Sequence, residues 1–392
     1  MSQVDHGKRK HALLSASGAS RWMACTPSAR LEEDFPEQES SVYAREGTLA
    51  HEFGDIELRL LNSEITKAAY KKQKKKLEKH ELFSEEMPDE VQKYVDYVWA
   101  QFTEAKRKDK HAILLIEQKL DLSAFIEEGF GTGDATIISN GTMEVADLKY
   151  GKGVPVFAED NPQLKLYGLG ALQEHDLSYD IHTVKLTVIQ PRLNSISSWE
   201  IDAIDLRNWG ENDVRKKAAV AYEGGGELVP GEHCKWCKAK NRCPAIAEFH
   251  MGLAKHDFAE PALLSDKDLI KIYEQTPQLI DWANSIASYM LEEALNGREW
   301  KGYKLVEGRS NRKWVDEDGA IKILKKEGHP EEKIVNVKIK GIGDIEKLVK
   351  KKNFPVLLGD CVDKPQGKPS LVPESDNRPA LGVEQAAEDF TQ

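Results

Sequence analysis

Between residues 42 and 106 the apolar positions recur every three or four residues, the spacing of helices that bury one face. Val42 to Asn62 reads as one such helix, with His51 in its first half. Pro88 opens another that runs through Lys106, where Val91, Tyr94, Val95, Val98 and Trp99 form the buried stripe. Lys67, Lys71, Lys72, Lys74, Lys75, Lys76 and Lys79 crowd the stretch between them, which reads as a solvated helix face or loop. From His111 the period shortens to two. Ala112 to Leu120, Gly133 to Ser139 and Thr142 to Lys149 read as strands parted by glycine-bearing turns, so an antiparallel meander is expected. Asn161 to Glu174 returns to helix, Thr183 to Pro191 to strand and Leu206 to Tyr222 to helix. That order predicts an α/β fold with a mixed sheet flanked by helices.

Gly224, Gly225 and Gly226 break the chain ahead of a cysteine-rich segment, after which residues 254–362 read as a mostly helical C-terminal module. The polar stretch 363–392, with Pro365, Pro369, Pro373 and Pro379, reads as a flexible tail. The expected organisation is therefore a first domain over 1–253, the helical module, and the tail.

Composition narrows the function classes. A chain of 392 residues that is 40% hydrophobic and 31% charged belongs with globular proteins that bury a sizeable core. Its longest purely apolar runs are about as short as Ala112 to Ile116, against the roughly 20 residues a membrane span needs, so no membrane partner is expected. Charged residues in Met1 to Lys10 lead into Ser, Gly and Arg instead of a secretory apolar run, and a cytoplasmic location is expected. A net charge of -11 argues against a protein that simply coats phosphates. An enzyme needs only a local basic track beside a carboxylate site that a cation neutralises. Gly129, Gly131 and Gly133 lead into a strand and not a helix N-terminus, so they do not build a phosphate-binding loop.

The candidate chemistry begins at Met143 to Lys149. Side chains two apart on a strand share a face, so Asp147 and Lys149 project together. Alone, such a pair is a common surface feature. Asp134, on the preceding strand after Gly131 and Gly133, supplies a second carboxylate that the hairpin brings alongside.

Four motifs then appear in an order that resembles the RecB-type branch of the PD-(D/E)XK nuclease superfamily, across about residues 43 to 245. Gly47-Thr-Leu-Ala-His51 resembles its helix-borne histidine motif, Gly131-Thr-Gly-Asp134 its first acidic motif, Asp147-Leu-Lys149 its signature, and Gln163-Leu-Lys-Leu-Tyr167 its Gln-xxx-Tyr helix. The resemblance implies a restriction-endonuclease-like core and a metal-dependent deoxyribonuclease. It implies Mg²⁺ or Mn²⁺ held by His51, Asp134, Asp147 and the Leu148 carbonyl, with Lys149 orienting the attacking water. Gln163 and Tyr167, one helical turn apart, would line the substrate channel.

Cys234, Cys237 and Cys243 form a Cys-xx-Cys-x5-Cys cluster that can chelate one centre and requires a fourth thiolate. RecB-type nucleases of the AddB and CRISPR-adaptation kinds pair one early cysteine with such a cluster, which assigns the fourth place to Cys25. The resemblance selects a [4Fe-4S] cluster; by spacing alone, structural Zn²⁺ accepts the same four cysteines. Cys361 falls outside the pattern and is expected to be a free thiol. Joining residue 25 to residues 234–243 would staple the ends of the first domain around the active site.

The arrangement looks most similar to phage-encoded stand-alone nucleases, which implies an exonuclease on single-stranded or frayed DNA ends in replication or recombination. No Walker-type motif is present, so unwinding is expected from a partner helicase or another recombination or replication protein. The alternatives are a non-cleaving DNA-binding protein of the same fold and a zinc-stabilised adaptor. Lys301, Lys304, Arg309, Arg312 and Lys313 around Trp300, Tyr303 and Trp314 form a basic and aromatic patch, read either as a strand-holding surface or as a solvated hairpin.

Overall fold

The computed structural model describes residues 12–35, 41–256, 266–304, 306, 316–328, 330–335, 340–350 and 353–362. The stretch read as a flexible tail, and Arg309, Arg312, Lys313 and Trp314 of the basic patch, lie outside these residues. By internal contacts the chain divides into two units, 1–305 and 306–392.

The first unit opens with two short helices, α1 (Ala19–Ala24) and α2 (Ser28–Leu31). Helix α3 (Val42–Leu61) starts where the Ser41 side chain accepts from the Ala44 amide, satisfying a donor that the first turn leaves open. The lysine-rich stretch is a helix, α4 (Lys67–Leu77), capped by Thr66. Its lysines stay in solvent, apart from Lys74, which pairs with Glu57 of α3 at 2.9 Å. Helix α5 (Met87–Lys108) carries Pro88 in its first turn and buries Val91, Tyr94, Val95 and Val98.

Strands β1 (Ile113–Asp121), β2 (Phe130–Ser139) and β3 (Thr142–Leu148) pair antiparallel in succession. Helix α6 (Pro162–Tyr179) crosses over to β4 (Thr183–Gln190), which lies parallel to β3. A fifth strand, β5 (Ser195–Asp202), pairs antiparallel with β4 and completes a mixed sheet of order β1-β2-β3-β4-β5. Apolar periodicity does not mark β5. On this edge strand the half-buried positions are Ser195, Ser197, Trp199 and Ile201, so two serines blur the apolar alternation. Helix α7 (Ala203–Trp209) continues through a π-helical turn, Gly210–Val214, into α8 (Arg215–Tyr222).

The sheet is buried on both faces. One carries Leu114, Ile116, Ala135, Ile137, Ala146 and Leu148 against α3 and α5. The other carries Leu120, Ile138, Met143, Val145, Val184 and Leu186 against α1, α6, α7 and α8. Helix α6 lies close enough that a Cβ added at Gly170 would sit 2.9 Å from that of Leu120. Two further helices, α9 (Pro244–His256) and α10 (Asp266–Leu295), meet where Trp282 stacks on His250 at 4.9 Å.

In the second unit the described elements are helical: α11 (Glu317–Lys326), α12 (Glu331–Ile334), α13 (Ile342–Val349) and α14 (Phe354–Leu358), with a 3-10 turn at Gly359–Cys361. No helix among the described residues is long and apolar enough to cross a membrane.

Candidate functional site

A regular strand keeps positions i, i+2 and i+4 on one face. Strand β1 breaks that rule: Leu114 and Ile116 face α3 and α5, whereas Leu120 lies in the opposite core. Strand β2 does the same. Ala135 and Ile137 lie in the α3–α5 core, yet a Cβ on Gly131 would meet Tyr167 of α6 at 2.8 Å. Both strands switch faces around Glu117 and Asp134. The antiparallel ladder pairs Ile116 with Ala135 and Gln118 with Gly133 and skips the rung between, where these two carboxylates lie opposite. Glu117 has a φ of 49°, left-handed and costly for a side-chain-bearing residue within a strand. The kink re-aims both carboxylates to a point that His51 of α3 also reaches.

Ligand atoms of His51, Glu117 and Asp134 lie within 4.8 Å of one another. His51 Nδ1 is 3.2 Å from Asp134 Oδ1, and Asp134 Oδ2 accepts from the Leu148 amide at 2.7 Å. Leu148 thus joins the site through its N–H. Asp147 is 2% exposed and stands outside the three-residue grouping, its Oδ2 paired with Lys149 Nζ at 2.8 Å. Lys149 also donates to Gln163 Oε1 at 3.1 Å, and Gln163 Nε2 donates to the Tyr167 hydroxyl at 2.9 Å. The Asp147, Lys149, Gln163 and Tyr167 side chains are thereby linked in one run.

Electrostatics mark this place as short of positive charge. Burial, then the neighbouring Asp134, pushes Glu117 from 4.5 to about 7. Burial alone would lower His51, but the charge and hydrogen bond of Asp134, helped by Asp147 and Glu117, carry it to about 9. Burial also raises Asp147 despite Lys149. Burial works against the Lys149 charge, and Asp147 more than offsets it. An imidazole and carboxylates crowded in this way suit a divalent cation of the Mg²⁺ or Mn²⁺ kind. Glu117 was absent from the sequence-derived ligand set; it follows the apolar run Ile113–Ile116 at the point where β1 changes face, among the polar neighbours Gln118, Lys119 and Asp121.

Surrounding contacts hold the elements in place. Arg192 pairs with Glu46 of α3 at 2.9 Å and lies 4.7 Å over the Tyr150 ring, while the Tyr150 hydroxyl donates to Glu90 of α5. The buried Gln190 clamps the loop after Lys149, accepting from the Val156 amide at 2.7 Å and donating to the Val154 carbonyl at 3.0 Å.

The four cysteines expected to act together line one cavity. Cys25, Cys234, Cys237 and Cys243 share its wall with Arg21, Ser28 and His233. Polar contacts draw these distant segments together: Thr26 donates to the Gly225 carbonyl at 2.7 Å across 199 positions, and Glu32 accepts from the Lys238 amide at 2.9 Å and from Arg21 at 2.7 Å. Burial pushes the Cys237 thiol up to about 12, so its thiolate needs a bound cation. His233 is held above its usual value first by the adjoining Cys25 sulfur. Ser28 Oγ and Arg21 Nε are buried without hydrogen-bond partners. Thiols and orphaned donors share this cavity, and among the described residues no three of the cysteine sulfurs lie within 4.8 Å of one another. Cys361 is exposed and belongs to the second unit.

The fold and these two sites define a mixed α/β chain with a carboxylate–histidine centre and a four-cysteine cavity. The chain belongs to the family described as "Protein of unknown function (DUF2800)", whose model matches residues 11–379. It is also similar to the solved structure titled "Crystal structure of SSO0001", at 16% identity and a TM-score of 0.21 over 56% of this chain and 95% of that one.

Proposed function

We propose that this chain is a metal-dependent deoxyribonuclease with a PD-(D/E)XK-type core, acting on single-stranded or frayed DNA ends. The observation that carries the reading is the convergence of His51, Glu117 and Asp134 from three elements, beside the linked Asp147, Lys149, Gln163 and Tyr167. When bound, Mg²⁺ or Mn²⁺ supplies Lewis-acid polarisation of a phosphodiester oxygen and lowers the pKa of a water. His51, Glu117 and Asp134 are the residues that would hold it; by the resemblance, Asp147 and the Leu148 carbonyl would join them.

The remaining work falls to Lys149. Asp147 and Gln163 fix its ammonium by two contacts, leaving its third donor free to orient a water or offset charge gathering on the phosphate. Tyr167, pushed up to about 12 by burial and then by Asp147, stays protonated and orients Gln163. We assign the cysteine cavity to a [4Fe-4S] cluster that staples residue 25 to residues 234–243, with Zn²⁺ as the alternative occupant. By the same resemblance, the setting is phage DNA replication or recombination, with unwinding supplied by a helicase.

The decisive experiment incubates the full chain, purified without oxygen, with end-labelled single- and double-stranded DNA and Mn²⁺ or Mg²⁺, beside Asp147→Ala. Metal-dependent shortening of single-stranded ends that Asp147→Ala abolishes is expected. Binding without cleavage under every condition would replace the nuclease with a non-cleaving DNA-binding protein.

A further inference from the structure

Ser28, at the start of α2, is 2% exposed, and its hydroxyl finds no hydrogen-bond partner. A buried donor left without a partner is costly and calls for an occupant. Arg21 of α1 repeats the pattern in the same cavity. Its Nη2 donates to Glu32 at 2.7 Å and its Nη1 to the Trp236 carbonyl at 3.4 Å, so the guanidinium is anchored at both ends. Its Nε, by contrast, is buried and unpartnered. Both residues line the cavity with Cys25, Cys234, Cys237 and Cys243. Neither donor makes a hydrogen bond to a cysteine sulfur, so each awaits an acceptor that the cysteines do not provide.

A mononuclear zinc centre adds no such acceptor, because its four positions are filled by the cysteine sulfurs themselves. A polynuclear cluster brings inorganic sulfides that accept hydrogen bonds from directions the thiolates leave open. We propose that Ser28 and Arg21 donate from the Ser28 hydroxyl and Arg21 Nε to sulfides of an iron–sulfur cluster, making them residues that set its reduction potential. This rests on the iron–sulfur reading of the cysteine cavity. Hydrogen bonds to cluster sulfur, with a fixed guanidinium charge, favour the more negatively charged reduced form and so raise the potential. Lost donors should therefore shift it to more negative values.

The test uses the full chain purified without oxygen, as wild type, Ser28→Ala, Ser28→Thr and Arg21→Lys. Iron, zinc and acid-labile sulfide are measured first, followed by a redox titration and by the coupling of exchangeable protons to the reduced cluster in H₂O and D₂O. Ser28→Ala is expected to retain wild-type iron, lower the potential and lose one exchangeable-proton coupling, whereas Ser28→Thr restores both. Arg21→Lys keeps the charge, loses the Nε donor and is expected to shift the potential in the same direction by less. If Ser28→Ala loses iron, the wild-type proton coupling and Arg21→Lys decide. Unchanged potentials and couplings in iron-loaded variants would overturn the donor assignment and leave the cluster intact. One zinc per wild-type chain, without iron or sulfide, would overturn the cluster reading itself.

Discussion

Glu117 and Asp134 lie opposite each other at a skipped rung between β1 and β2, and Glu117 reaches this position through a left-handed φ of 49°. Two carboxylates, a histidine and a strained backbone at one point make the metal-free site expensive, and a cation relieves the repulsion. Glu117→Gln removes one charge and keeps the shape. It is expected to raise the melting temperature of metal-free protein, by an amount corresponding to about 1 kcal/mol, while weakening Mn²⁺ binding at least about tenfold. Thermal unfolding with and without Mn²⁺ checks both effects, and a variant that binds Mn²⁺ like wild type removes Glu117 from the ligand set.

The same cluster gives a pH dependence of defined sign. Glu117 is raised from 4.5 to about 7 by burial and Asp134, and His51 from 6.5 to about 9 by Asp134 against the effect of burial. Raised groups contribute stability that is complete below their unfolded values and lost as pH climbs through their folded values. The metal-free site therefore loses stability from about 4.5 to 7 through Glu117 and from 6.5 to 9 through His51. Binding a metal requires these groups deprotonated and releases their protons. The gain in melting temperature on adding Mn²⁺ should grow from about pH 6 to about pH 9, and His51→Ala should flatten that growth. A Mn²⁺ effect independent of pH in wild type contradicts the assignment.

Lys149 and Asp147 form a pair whose carboxylate is buried, so removing the amine has a structural as well as a catalytic effect. Lys149→Met leaves Asp147 without its counter-ion, at a cost of about 3 kcal/mol in metal-free protein. Bound Mn²⁺ should restore part of that loss, because a cation would take over the pairing. Cleavage is expected to fall about a hundredfold or more, since a donor aimed at developing charge is missing. Metal titration followed by thermal unfolding separates the two effects. Full cleavage by the folded variant would remove Lys149 from the chemistry.

What could be read from the sequence depended on whether the signal was local. Helices α3 and α5 announce themselves by a capping serine, a proline in the first turn and a one-sided apolar stripe. Asp134, Asp147, Lys149, Gln163 and Tyr167 stand in short motifs, and the structure gathers them as neighbours. Glu117 was hidden because periodicity assumes that a strand keeps one face throughout, and β1 turns over at that residue. Strand β5 was hidden because serines occupy half of its inward positions. Nothing local marks Ser28 or Arg21; their meaning comes from the four cysteines that folding brings around them.

Cys234 is buried in the cavity that joins α1 and α2 to the segment before α9, so a cluster held there would act on stability more than on chemistry. Cys234→Ala is expected to give colourless protein with a lower melting temperature and a tendency to aggregate. Iron content, visible absorbance and light scattering on heating report these changes. A brown, stable and fully active variant would rule out the staple.

Trp236, between two of the cysteines, is 69% exposed. Residues 233–247 contain no acid, and Lys235, Lys238, Lys240 and Arg242 give this loop four of the chain's basic residues against a net charge of -11. Lys235 Nζ lies 5.4 Å from the Trp236 ring centre. An exposed ring among cations is suited to stacking a base while the charges follow the phosphates, and stacking contributes about 1–3 kcal/mol per base. Trp236→Ala should therefore weaken single-stranded DNA binding by roughly 5- to 150-fold while leaving its salt dependence unchanged. Lys235→Ala should weaken binding less and reduce the slope of log affinity against log salt by about 0.7, one released counterion on a single strand. Fluorescence anisotropy of a labelled oligonucleotide over a salt series distinguishes them. If Trp236→Ala changes the slope and not the affinity extrapolated to high salt, the ring serves the fold of the loop and does not hold a base.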